Sequence, residues 1–120
     1  MDPHFDGVIF QSHAAELGRR IHHPYPPYRV IDVRSAPDYA AGRIPGALSA
    51  TPSDLAGGLP EGTTPSTEFF IVGRALGDRV VRAASRVLAE LGANRIVEVP
   101  GGMDEWSRLG LPVETDAAAA

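Results

Sequence analysis

The sequence contains no cysteine. That excludes disulfides and thiolate metal sites, and with them any reaction that needs a thiol nucleophile. No apolar run approaches the roughly 20 residues that cross a bilayer as a helix. The formal net charge is −4, with none of the basic patterning that marks a nucleic-acid surface. Met1-Asp2-Pro3-His4 lacks the cationic, apolar pattern of a secretory leader, so the cytoplasm is the expected compartment. Internal repeats are missing, and Gly101-Gly102 lacks the spacing of a dinucleotide fingerprint; a tight turn accounts for it. Nothing predicts a nucleic-acid or membrane partner.

What is present fits an ordinary globular domain. The chain has 120 residues, 43% of them hydrophobic and 22% charged. A length of this order suits one domain, which buries roughly two-thirds of its unfolded surface. One domain is therefore expected over residues 1–120, with a core at about 8–113 and a flexible tail at 114–120.

Strand and helix signals alternate. Gly7 to Phe10 reads as an edge strand, and Ser12 as the N-cap of a helix carrying Ala14, Ala15, Leu17 and Ile21 on one face. Pro24, Pro26 and Pro27 stop that helix near His22-His23. Arg29 to Val33 (RVIDV), Glu68 to Val72 (EFFIV) and Arg95 to Val99 (RIVEV) have the character of buried parallel strands. A short helix starting at Ser35 or Pro37 ends at Gly42. Residues 51–67 are rich in Thr, Pro, Gly and Ser, with Leu55 and Leu59 placed to pin one helical turn. Arg79 to Leu91 is the longest helix, its apolar face expected at Val80, Ala83, Ala84, Val87, Leu88 and Leu91, with Gly92 as its C′ residue. Met103 to Leu109 forms a last helix, ended by Gly110 and Pro112. This alternation argues a parallel α/β sheet.

Three segments go further. Ile31-Asp32-Val33-Arg34 runs into Asp38-Tyr39 and Gly42-Arg43-Ile44-Pro45-Gly46-Ala47; a strand then leads into Arg74-Ala75-Leu76-Gly77-Asp78-Arg79 and a helix; and Gly101-Gly102-Met103-Asp104-Glu105-Trp106 follows the last strand. In order and spacing, from about Val8 to Val113, the chain resembles a single rhodanese (sulfurtransferase) domain, with Arg43 where the family usually has histidine. The resemblance implies a three-layer α/β/α fold around a mainly parallel sheet of about five strands.

It also implies a reaction this chain cannot perform. Family members form a persulfide on the cysteine of a Cys-x-x-Gly-x-Arg loop that leads into a helix. Aligned without a gap, Arg74 stands at the cysteine, with Gly77 and Arg79 in register. A second placement puts Gly73 there and lengthens the loop to seven residues, as in the related phosphatase and arsenate reductase branch. Either way the thiol is missing, and no residue is assigned a catalytic role. Loop amides and the following helix N-terminus still make a cradle for negative charge. Arg74 to Arg79 are thus candidates for binding an anion or a partner, with Arg74 either facing outward beside Arg79 or folded back onto Asp78 or Asp32. Asp32 and Arg34 are candidates for supporting the loop. The expected function is a catalytically inactive module that binds a protein partner or regulates, with no cofactor. The competing expectation is a sulfurtransferase- or phosphatase-related enzyme with an unidentified or partner-supplied nucleophile.

Other residues carry less. Ser85 lies about two turns into the helix, away from the cradle. Asp38 belongs in a first helical turn, and Trp106 is a core anchor. His4, His13, His22 and His23 lack the carboxylate spacing of a metal site. Tyr25 and Tyr28, in the proline-rich HHPYPPYRV stretch, offer either a stiff recognition surface or cover for the sheet edge.

Overall fold

In the computed structural model, which describes residues 7–23 and 25–116, the β-branched and aromatic runs become the centre of a parallel sheet. Five strands, β1 (Ile9–Gln11), β2 (Tyr28–Asp32), β3 (Leu48–Ser49), β4 (Glu68–Val72) and β5 (Arg95–Val99), lie in the order β1-β5-β4-β2-β3, every pair parallel. Each apolar run serves both faces, because successive side chains point opposite ways. Val30, Phe70, Val72, Val97 and Val99 pack with Leu17, Met103 and Trp106 on one side. Ile31, Phe69, Ile71 and Ile96 pack with Leu55, Val81, Ala84 and Leu88 on the other. Helices α1 (Ala14–Arg20) and α5 (Gly102–Arg108) cover the first face; α3 (Pro52–Leu55) and α4 (Arg79–Glu90) cover the second. Helix α2 (Ala36–Ala41) lies on the Trp106 side, where Tyr39 packs against the core. The three-layer α/β/α architecture follows.

Local chemistry sets most element ends. Ser35 caps α2 by accepting from Asp38 N, and Asp38 sits in the first turn. Thr51 and Asp54 form a reciprocal capping box on α3, within the connection expected to hold one helical turn. The hydrogen bonds from Thr51, the backbone amide's first, hold the Asp54 carboxyl below its ordinary range. Trp106 is fully buried and donates from Nε1 to Pro112 O at 2.8 Å.

Several expectations need correction. Ser12 does not cap α1: His13 occupies that position without a side-chain bond, and Ser12 Oγ pairs with Glu16 Oε2 at 2.7 Å. The buried face of α4 is Val81, Ala84, Ser85 and Leu88, while Val80 and Ala83 are exposed. Both sets fit a helical repeat, and the helix's docking angle on the sheet selects between them. The flexible tail does not begin at 114. Arg43 and Glu114 exchange backbone hydrogen bonds, and Asp116 Oδ1 accepts from Arg43 Nη1 at 2.7 Å. Arg43 also stacks over Tyr39. The expectations for Met1–His4, Pro24 and 117–120 lie outside the described residues.

Candidate functional site

Strand order places the site. The chain leaves β2 along the Trp106 face towards β3 and leaves β4 along the opposite face towards β5. These diverging connections open a crevice at the carboxyl ends of two adjacent strands, the usual ligand position in an open α/β sheet. Residues 73–78 form the loop there, and α4 starts immediately after it.

Asp32, at the end of β2, is 1% exposed. Its carboxylate accepts from Arg34 Nε at 3.1 Å and Nη2 at 2.8 Å, and from Arg34 N at 3.0 Å. Arg34 Nη2 also donates to Gly42 O at 2.6 Å, so one ion pair ties the turn after β2 to the end of α2. Across the crevice, the amides of Met103 and Asp104 donate to Gly73 O and Arg74 O at 3.0 and 2.9 Å. Gly102, at φ +56°, permits this approach: a Cβ there would lie 2.6 Å from Gly73 O. The glycine pair read as a tight turn is therefore also the contact that braces the loop.

Within the loop, the decisive side chain is Asp78. Its Oδ2 accepts from Arg74 N at 3.0 Å and its Oδ1 from Val80 N at 2.9 Å. The carboxylate caps α4 and stands against the Cα of Gly73, where an added Cβ would overlap Asp78 Oδ2 and lie 2.7 Å from Val81 Cγ2. A negative group supplied by the chain itself thus uses two amides of the cradle. Arg74 and Arg79 are exposed and make no ion pair among the described residues, and Leu76 is 81% exposed between them.

Two clefts flank the loop. One, of about 380 Å³, brings Arg34 and Arg74 together with Asp38, Asp104 and Ser107. The other, of about 290 Å³, lies against α4 and β1 and includes Leu76, Asp78, Arg82 and Glu98. Glu98 is 4% exposed and paired with Arg82 at 3.1 Å. Sequence reasoning missed this pair, although a glutamate inside an apolar strand run was its visible signal. It also missed the role of Asp78, signalled by an acidic residue directly before a helix. Ser85 is wholly buried and donates to Val81 O at 3.0 Å, which leaves its hydroxyl out of reach of the crevice. No group of three potential metal ligands occurs among the described residues, and no helix there is long and apolar enough to cross a membrane.

Residues 13–109 match the family model described as the rhodanese-like domain. The chain belongs to the rhodanese-like family. Among solved structures, the rhodanese-like domain of an Anabaena sp. protein aligns with a TM-score of 0.74 at 26% identity, covering 100% of this chain and 85% of that one. A rhodanese-related protein of Thermoplasma volcanium aligns at 0.69 and 27% identity, covering 88% of this chain and 97% of the other. By sequence, an HTH-type transcriptional regulator of Mycobacterium tuberculosis is 37% identical over 89 residues, 73% of this chain. The chain spans 38% of that regulator's length. This rhodanese-like domain has no cysteine anywhere, so the persulfide chemistry of the family has no atom on which to start.

Proposed function

We propose that this domain is a pseudoenzyme that binds a protein partner through its former catalytic loop, in a regulatory role in the cytoplasm. The observation that carries the reading is the carboxylate of Asp78 held by the loop's own amides, with Arg74, Leu76 and Arg79 turned to solvent. An apolar side chain between two guanidinium groups has the composition of an interface anchor, where arginine is enriched. The kinship with a segment of a transcriptional regulator supports a regulatory setting.

Two results follow from this reading. Purified protein is expected to show no thiosulfate-to-cyanide sulfur transfer, and measurable turnover would overturn the inactive assignment. Tagged wild type should capture a partner from cell extract that the Arg74→Glu/Arg79→Glu variant loses about tenfold or more, both proteins having the same circular dichroism. Equal capture by both would move the docking surface off the loop.

Thiol scanning tests the occupancy of the cradle. In Gly73→Cys combined with Asp78→Ala and Val81→Ala, which clear both side chains that a Cβ at Gly73 would meet, sulfur replaces the carboxylate beside the freed amides of Arg74 and Val80. Its pKa is expected well below the roughly 8.5 of an ordinary thiol. Arg74→Cys, on the exposed side, should stay near that value. The pH dependence of alkylation by iodoacetamide reads both, and the reverse order would refute the placement of Asp78 in the cradle.

A further inference from the structure

The charge of this chain is unevenly placed. Its 11 basic residues are all arginines, and four of them, Arg74, Arg79, Arg82 and Arg86, fall within residues 73–89 beside a single acid, Asp78. Elsewhere acidic residues are in excess, and the net charge is −4. Asp78 is engaged internally, its carboxylate turned to the amides of Arg74 and Val80. The basic excess is therefore local, and it faces solvent.

A helix advances about 100° per residue, so the exposed side of α4 divides into two strips. Arg79, Arg82 and Arg86 follow one line along the helix, and Val80 and Ala83 lie beside them. All five are exposed, Val80 at 40%, and the Arg82 side chain is 63% exposed although it pairs with Glu98. The arginine line meets the cleft of about 290 Å³, where Leu76, Val81, Gln11 and Pro100 surround space for one large apolar side chain. Arg82 lines that cleft and balances the charge of the nearly buried Glu98 there. An apolar recess and a row of guanidinium groups are thus continuous through Arg82.

We propose that this surface receives an acidic segment of a partner protein. One large apolar side chain of the segment enters the cleft against Leu76, and Asp or Glu side chains beside it pair with Arg79, Arg82 and Arg86 along α4. The proposal rests on the reading of the loop as a docking surface and names what docks there. Guanidinium forks match carboxylates in bidentate geometry, and the chain has no lysine to supply the less directional ammonium. From Arg79 to Arg86 the line runs about 10 Å at 1.5 Å per residue, a span that a few residues of extended chain cover. A long polyanion such as nucleic acid is a poor occupant, because it extends past this strip onto a chain whose remaining charge is acidic.

The test selects random dodecapeptides displayed on phage against the full wild-type protein, followed by synthesis of the enriched sequences. The expected peptides carry one large apolar residue next to two or more acidic ones. Replacing those acids by Asn or Gln should weaken binding about tenfold or more, as should raising the salt from roughly 0.05 to 0.5 M. On the wild type, bound peptide should shift the NMR amide signals of Leu76, Gly77 and residues 79–86. Arg79→Gln/Arg86→Gln should weaken binding about tenfold, and Leu76→Ala about threefold or more, each with unchanged circular dichroism. Peptides that occupy the loop without an acidic residue, or that bind Arg79→Gln/Arg86→Gln as tightly as wild type, would overturn this proposal and leave the loop as a docking surface. Absence of enrichment, or shifts confined to another face, would overturn it and count against the loop as well. Tighter binding of a single-stranded oligonucleotide than of any peptide would make the strip a nucleic-acid site, and the proposal would fail. Shifts at residues 76–86 that grow with protein concentration alone would make a second copy the occupant, and it would fail again.

Discussion

Asp32→Ala should cost about 3–5 kcal/mol of folding stability, the range seen when one partner of a buried ion pair is removed. The carboxylate is 1% exposed and the Arg34 side chain 11% exposed, so water cannot take over the lost contacts. The substitution leaves Arg34 with Gly42 O but without its counter-charge, and it also orphans the Arg34 amide. For a domain whose whole stability is expected at about 5–15 kcal/mol, that is a large fraction. Asp32→Asn keeps one acceptor and should fall between wild type and Ala. Combining Asp32→Ala with Arg34→Met should recover part of the loss, because an apolar side chain in that space is better tolerated than a stranded cation. Urea unfolding followed by the fluorescence of Trp106, the single tryptophan, measures each step. A cost below about 1 kcal/mol for Asp32→Ala would mean that the pair behaves as a surface salt bridge.

Trp106→Ala should cost a similar amount, about 3–5 kcal/mol, by a different mechanism. The indole is wholly buried among Leu17, Val97, Val99 and Met103, so its removal leaves a cavity that the sheet cannot collapse into. A second loss adds to it: Nε1 no longer donates to Pro112 O. Trp106→Phe separates the two, keeping much of the apolar contact but forfeiting the hydrogen bond, and should cost about 1–3 kcal/mol. Far-ultraviolet circular dichroism in urea reads both variants. If Ala and Phe proved equally costly, the hydrogen bond to Pro112 O and not the packing would carry the contribution of Trp106.

These two residues sit on either side of the line between what a linear reading reaches and what it does not. Trp106 was legible as a core anchor, since an indole in a short helix between a glycine pair and a Gly-Leu-Pro stop has few other roles. Asp32 and Arg34 were expected, through the resemblance alone, to support the loop; the bonds they make, to each other and from Arg34 to Gly42 O, needed coordinates. Two of the three central strands, β4 and β5, were read at their observed bounds and β2 one residue late, because long β-branched and aromatic runs bounded by breakers leave little choice. The face of α4 was misread by one position. Val80, Val81, Ala83 and Ala84 satisfy the helical repeat in either phase, and only the contact with the sheet distinguishes them.

The candidate site divides in the same way. From the sequence alone came the absence of a thiol, the alternating α/β order, and a glycine-containing loop followed by a helix. Those features are local: each is written in one residue type or in a short run, and each constrains chemistry before any fold exists. The tertiary structure decided which charge occupies the cradle, which arginines make no ion pair among the described residues, and how far β3 runs along β2. Asp78 meets Gly73 only through the curl of the loop, Gly102 braces Gly73 and Arg74 across the crevice, and β3 pairs with β2 at two positions only. Such facts belong to pairs of residues distant in sequence, and the energy that selects them comes from packing the whole domain rather than from any local preference.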